Sequence, residues 1–252
     1  MDVIKRIVVI LFVITQIVTA ANLHNVFDQA NQYYQQGEYE LAVETYQKII
    51  VEGFESGPLY FNLGNAYYKL GQLGPARLNY ERASKYLKND EALQENLQLI
   101  SLRLVDQIEP IPQFFLSAVW DQIVDFITID ALIWIVAGLL WLVLIVFSVR
   151  YYFRSHGRGD RFKLLFAFIF VIFIFFTLIS IQNIYNLESE QYGIIMKSSV
   201  TSRAEPKIGA TEVFILHEGT KVKIERNTGD WYEVRLADGK TGWLEHTTLE
   251  II

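Results

Sequence analysis

Two long uncharged runs decide most of what this chain can become. Ala131–Val149 reads ALIWIVAGLLWLVLIVFSV and Leu164–Ile181 reads LLFAFIFVIFIFFTLISI, neither with a charged side chain. At ~1.5 Å per residue, the first run as a helix extends about 28 Å, the thickness of a hydrocarbon core. Neither run has a polar stripe to turn toward water, which argues against a helix pair on a soluble core. The expectation is one membrane span over 129–149 and a second over 164–185. Between them, 150–163 reads RYYFRSHGRGDRFK, with Arg150, Arg154, Arg158, Arg161 and Lys163 against Asp160. Excess Lys and Arg marks cytoplasmic loops. The expected topology is therefore a hairpin with its basic loop in the cytoplasm and both flanks on the outer side. The Arg-Gly-Asp at 158–160 would then face no outside receptor, and its occurrence is read as coincidence.

The start of the chain agrees. Lys5 and Arg6 precede IVVILFVITQIV, which runs into Thr19-Ala20-Ala21. A basic start, an apolar run and small residues read as a secretory signal over 1–21. Cleavage would follow Ala20 or Ala21; an uncleaved anchor is the alternative. Residues 22–110 carry 7 basic and 12 acidic side chains (7 − 12 = −5), and 185–252 carry 8 and 11 (8 − 11 = −3). Neither flank offers the basic patch that nucleic acid requires. The absence of cysteine excludes disulfides and thiol chemistry. His24, His156, His217 and His246 lack metal spacing, and no phosphate-cradling loop or local triad motif appears. We expect no catalytic, metal or cofactor site, and we read His246 as a surface side chain.

A repeat lies before the first span. Val26–Ile49 and Tyr60–Ala83 match at an offset of 34: Ala30 with Gly64, Tyr33 with Tyr67, Gly37 with Gly71, Ala42 with Ala76, Tyr46 with Tyr80. This resembles the tetratricopeptide repeat. The resemblance implies stacked helical hairpins in which Gly64 and Ala76 allow close approach, Tyr67 and Tyr80 fill the gap, and Gly71 ends a helix. Where such units usually carry a terminal proline, Phe54 and Lys88 stand instead. A capping helix is expected over Asp90–Asp106, because Leu93, Leu97, Ile100 and Leu104 share one helical face. Arrays of this kind bind peptides in a concave groove, which would place Asn62, Asn65 and Lys69 against a partner protein. The alternative is that Asn62 and Asn65 are solvated or cap local backbone. Phe27 occupies a position that a carboxylate clamp would fill with a cation, which disfavours that version.

Glu109–Asp130 opens on two prolines, and Phe115, Val119, Ile123 and Phe126 then recur at helical spacing. We expect an amphipathic interfacial segment over 109–128, anchored by Phe114 and Trp120. Asp121, Asp125 and Asp130 are read as a wet edge, an ion or proton role being the alternative.

After the second span the period changes to that of short strands. Gly219–Val222, Gly229–Val234 and Asp238–Leu244 follow the order Gly-Thr-x-Val, Gly-Asp-Trp-x-x-Val and Asp-Gly-x-x-Gly-Trp-Leu, with Asp238-Gly239 as a hairpin turn. This resembles bacterial SH3-like (SH3b) domains, here over 186–252, although Ser198–Pro206 departs from the usual first strand. Trp231 and Trp243 are read as core fillers of a small barrel. The functional alternative is an aromatic groove of Trp231, Tyr232 and Trp243 gripping a peptide or peptidoglycan.

The expected fold class is thus a multidomain membrane protein: an all-α tetratricopeptide-repeat array over 22–108, a transmembrane helical hairpin and a small all-β SH3-like barrel. The order of parts, with Leu102–Asp106 and Glu109–Pro112 between array and spans, resembles BatE-type proteins of the Bacteroides aerotolerance (Bat) group across essentially the whole chain. The resemblance implies a noncatalytic scaffold in the bacterial inner membrane, with both soluble domains periplasmic. It implies partners among proteins with von Willebrand factor A domains and a MoxR-type ATPase system, and no nucleic acid. An envelope sensor, reading the wall through the barrel and signalling through the hairpin, is the other reading.

Overall fold

The computed structural model describes residues 23–112, 120, 127–155, 162–189 and 191–252. The expected signal over 1–21 lies outside them. So do Phe114, Phe115, Val119, Asp121, Ile123, Asp125 and Phe126 of the interfacial segment, and 156–161 of the basic loop. The described residues fall into two compact units. One runs to Pro110 and resumes at Gln191; the other spans Ile111 to Ser189.

The first unit begins with five helices: α1 (23–36), α2 (Tyr39–Val51), α3 (Gly57–Lys69), α4 (Leu73–Ser84) and α5 (Glu91–Ser101). Their turns repeat with the sequence. Gly37 and Gly71 both take positive φ (81° and 75°), and the amides of Glu38 and Gln72 return to the carbonyls of Tyr33 and Tyr67. A residue with φ > 0 closes a helix cheaply only when it lacks a Cβ. Ser56 and Asp90 cap α3 and α5, accepting from the amides of Leu59 and Leu93. Between α3 and α4 the backbones pack so closely that a Cβ on Gly64 would sit 2.7 Å from the Tyr80 ring. Two clusters form the interior, one around Ala30, Ala42, Tyr46 and Leu63, the next around Tyr60, Ala76, Tyr80 and Ile100.

The last helix is shorter than the periodicity predicts. It ends at Ser101, not at Asp106, and Leu104 leaves the helical face. The end is sealed by Gln107, whose side-chain amide donates to the carbonyls of Ser101 and Leu104. Residues 102–108 then run as a strap onto the sheet that follows.

That sheet has seven antiparallel strands: β1 (Gln191–Ile195), β2 (Ser199–Arg203), β3 (Glu212–His217), β4 (Lys221–Thr228), β5 (Trp231–Arg235), β6 (Thr241–Glu245) and β7 (Leu249–Ile251). The strand order is β3-β2-β6-β5-β4-β1-β7. Alternation buries Val222 and Ile224, Val234, and Leu244 against Ile195, Val200, Leu216 and Leu249. This core is aliphatic. Trp231 and Trp243, expected as its fillers, are not part of it.

The second unit is built on α6 (Ile129–Ser155) and α7 (Lys163–Ser189). Thr128 caps α6 by accepting from the amide of Ala131. The two helices pair antiparallel, with Leu132 buried against Ile179, and Val143 and Val146 against Ile169. Stretches of 24 and 22 residues in them are long and apolar enough to cross a membrane, and only 17% and 11% of the most apolar windows are buried. A core helix of a soluble protein would be mostly buried. Helix α6 continues to Ser155, so Arg150, expected in the loop, lies within it, its guanidinium 5.7 Å from the centre of the Phe166 ring. No glycine interrupts the chain between Val149 and Ser155, and nothing there breaks the helix. Trp120 packs edge-on to Phe175.

Candidate functional site

Three places in the first unit carry candidate function: the face of the helical array, the outer face of β5–β6, and the seam between array and sheet.

On the array, Asn31 and Asn65 occupy equivalent positions. Asn31 Oδ1 accepts from the Tyr46 hydroxyl at 2.6 Å and from Asn62 Nδ2 at 2.9 Å. Asn65 Oδ1 accepts from the Tyr80 hydroxyl at 2.8 Å and from Asn96 Nδ2 at 2.9 Å. The same pair of bonds thus recurs one repeat later, linking each hairpin to the next helix. Burial pushes the Tyr46 phenol up to about 12 and raises that of Tyr80 further. Asn62 and Asn65 therefore already serve the ladder. They also line a recess of about 370 Å³ with Asn31, Tyr34, Gln35 and Tyr46. Lys69, one turn beyond Asn65, is exposed.

On the sheet, the expected aromatic trio divides. Tyr232 faces inward with its register partner Leu244 and packs on the core. Trp231 and Trp243 take the other face of the ladder, opposite Glu245 and Glu233, with Arg203 of β2 beside Trp243. Trp231, Arg203, Lys197, Ser199, Thr201 and Glu245 border a depression of about 230 Å³. His246, expected at the surface, is half-buried. Its ring stacks on Tyr232 with centroids 3.8 Å apart, and its Nε2 lies 3.0 Å from Asn227 Oδ1. Strand alternation carried the signal for this split; the short Trp-Tyr pair obscured it.

The seam joins segments more than a hundred residues apart. Asp106, in the strap, accepts from the His217 amide at 2.7 Å and from the Thr220 hydroxyl at 2.6 Å. Its other oxygen lies 2.8 Å from His217 Nδ1. Burial works against its charge, but the bonds from Thr220 and His217 prevail and hold the carboxyl below its ordinary range. Leu104 lies over Gly219, which has φ 85° and where a Cβ would collide with the leucine side chain. Glu81, nearly buried, holds both Arg77 and Lys221. Arg82 donates to Glu250 and to the Ile251 carbonyl, and Lys85 to that of Ile252. None of this was legible in the sequence, where Leu104 simply continued a helical stripe.

Residues 198–250 match the family of the bacterial SH3 domain. The match covers β2 to the start of β7; β1, which pairs with both β4 and β7, precedes it. Comparison with curated proteins finds no match for the chain. Among the described residues, no cluster of three His, Asp or Glu side chains could hold a metal ion.

Proposed function

We propose that this protein is a noncatalytic, membrane-anchored scaffold of the cell envelope, of the BatE type. Its helices α1–α5 act as a tetratricopeptide array for partner proteins, and its SH3 barrel holds a protein or cell-wall ligand. The carrying observation is the seam. The helices that precede the apolar pair and the barrel that follows it share the Asp106–Thr220, Glu81–Lys221 and Arg82–Glu250 bonds. Flanks that interlock belong on one side of whatever α6 and α7 cross. The basic residues over 150–163 support a cytoplasmic loop, and with it a periplasmic side for the interlocked flanks.

The anchor reading is preferred to a sensor because Ser148, Thr177 and Ser180 each donate to the carbonyl four residues earlier in their own helix. The Bat resemblance supplies the partners: membrane proteins with von Willebrand factor A domains, served by a MoxR-type ATPase. Asn62, Asn65 and Lys69 would face them, and Trp231 and Trp243 would face peptidoglycan or a protein.

The chain has no cysteine, so single-cysteine labelling tests the topology directly. Glu95→Cys and Lys207→Cys should react with an impermeant maleimide in spheroplasts, and His156→Cys only after permeabilisation. Labelling of position 156 alone would overturn the proposal. Crosslinking in native membranes would then identify what the array holds.

A further inference from the structure

The depression beside Trp231 is small. At about 230 Å³ it falls below the roughly 300–1,000 Å³ that hold a whole small ligand, so it suits the end of a longer one. Its two sides carry opposite charge. On one side β2 alternates, with Val200 and Ser202 buried and Ser199, Thr201 and Arg203 turned outward. Lys197 precedes that row, so two hydroxyls stand between two cations. On the other side Trp231 and Glu245 are register partners across β5 and β6.

Of the two acids opposite the tryptophans, Glu233 is closed by Arg226. Glu245 is open. Its carbonyl accepts from the Thr248 hydroxyl, but its carboxylate has no partner among the described residues. Nor has the Lys197 ammonium. The two border the same depression and form no ion pair, so space for a ligand separates opposite charges. Arg203 donates one N–H to the Ala210 carbonyl at 3.1 Å, of the five that a guanidinium carries.

We infer that the depression reads an α-amino acid end, an ammonium and a carboxylate on one carbon, as on the free end of a diamino acid in an uncrosslinked wall peptide. The ammonium lies against Glu245 and the Trp231 ring, where carboxylate and aromatic face both attract a cation. The carboxylate takes Lys197, Arg203 and the hydroxyls of Ser199 and Thr201. A neutral sugar on the ring would leave Lys197 and Glu245 unmatched, and a plain anion would sit beside an open acid. The site is the barrel's ligand face proposed above, and its ligand class rests on that reading.

Titration calorimetry of the full-length protein in detergent compares three tripeptides: L-Ala-γ-D-Glu followed by meso-diaminopimelate, by L-lysine, or by 2-aminopimelate. The lysine form keeps only the far ammonium, and the aminopimelate form only the far carboxylate. The diaminopimelate form should bind at least ~10-fold more tightly than either, the worth of one charge-assisted contact. Glu245→Gln should erase the advantage over aminopimelate, and Lys197→Ala should shrink the advantage over lysine. Both variants should melt like the parent, because both side chains are exposed and unpaired among the described residues. Equal binding of the three tripeptides would overturn the assignment, as would advantages untouched by both substitutions. Acetic anhydride blocks free amines, so treated sacculi should sediment less protein than untreated ones; equal sedimentation would overturn the wall peptide as the source. Sedimentation lost in a Trp231→Ala, Trp243→Ala double variant, with equal tripeptide binding by the parent, would sink the ligand class alone. Sedimentation unchanged in that variant would take the ligand face with it.

Discussion

Glu218, in the turn between β3 and β4, accepts the backbone amide of Gly74 at 2.8 Å and so caps a helix 144 residues earlier in the chain. Helix α4 needs it. Its own N-cap residue, Gln72, makes no side-chain cap, and the first-turn amides of a helix have no internal acceptors. A carboxylate there also meets the positive end of the helix dipole. Glu218→Ala should cost about 1 kcal/mol, lowering the melting temperature by roughly 2–4 °C in a unit of this size. Hydrogen exchange should localise the loss to the first turn of α4. Glu218→Gln, which keeps an acceptor, should recover part of it.

The seam should weaken in acid. Asp106 titrates below its ordinary range in the folded protein, whereas in the unfolded chain it would titrate near ~3.9. As pH falls, the unfolded state takes up the proton first. The stability Asp106 contributes is present above about pH 4 and drains away as pH drops through its lowered folded value. Glu55, held low by the Tyr86 and Tyr60 hydroxyls, and Asp238, held low by Lys240, push in the same direction. The diagnostic is therefore a difference. Asp106→Asn should be less stable than the parent at pH 7, with the gap closing below pH 4 in thermal scans across that range.

The Asn–Tyr ladder predicts a graded series. Tyr80→Phe removes one donor but leaves Asn65 Oδ1 accepting from Asn96, so the cost should be about 1 kcal/mol. Asn65→Leu leaves two donors without an acceptor and should cost more, about 2 kcal/mol or above. Gly64→Ala should be severe, since the added methyl meets the Tyr80 ring. Denaturant midpoints would rank the three. Lys69→Ala touches none of this and should leave the midpoint alone. If the array binds partners as proposed, that substitution lowers their recovery from crosslinked membranes.

What could be read in advance was whatever repeats or alternates. The offset of 34 located Gly37 and Gly71, Tyr46 and Tyr80, and with them the hairpins. Turn residues such as Asp238-Gly239 located a hairpin; Lys240 donates its amide to the Asp238 side chain there, as a tight turn demands. The apolar runs announced α6 and α7. The seam was invisible because each member looks ordinary locally. Leu104 continues a helical stripe, Asp106 resembles any acid after a helix, and Glu218 sits in a generic turn. Their roles arise only when two distant segments meet, and no local period encodes that. Trp231 and Trp243 misled for the opposite reason: bulk implied burial, while strand parity decided the face.

That parity separates folding from binding on adjacent residues. Tyr232 packs on the barrel core and stacks on His246, whereas Trp231 stands on the opposite face of the same strand. Tyr232 is half-buried against the core and stacked on His246, so Tyr232→Ala should lower the barrel's stability by about 1–3 kcal/mol, seen as a lower denaturation midpoint. Trp231→Ala removes an outward ring and should cost about 1 kcal/mol or less. If the outer face of β5–β6 is where the barrel meets a wall or protein ligand, Trp231→Ala abolishes sedimentation with purified sacculi, or capture of the partner, at near-parental stability. Retained binding in both assays by a folded Trp231→Ala, Trp243→Ala double variant would move the ligand off this face.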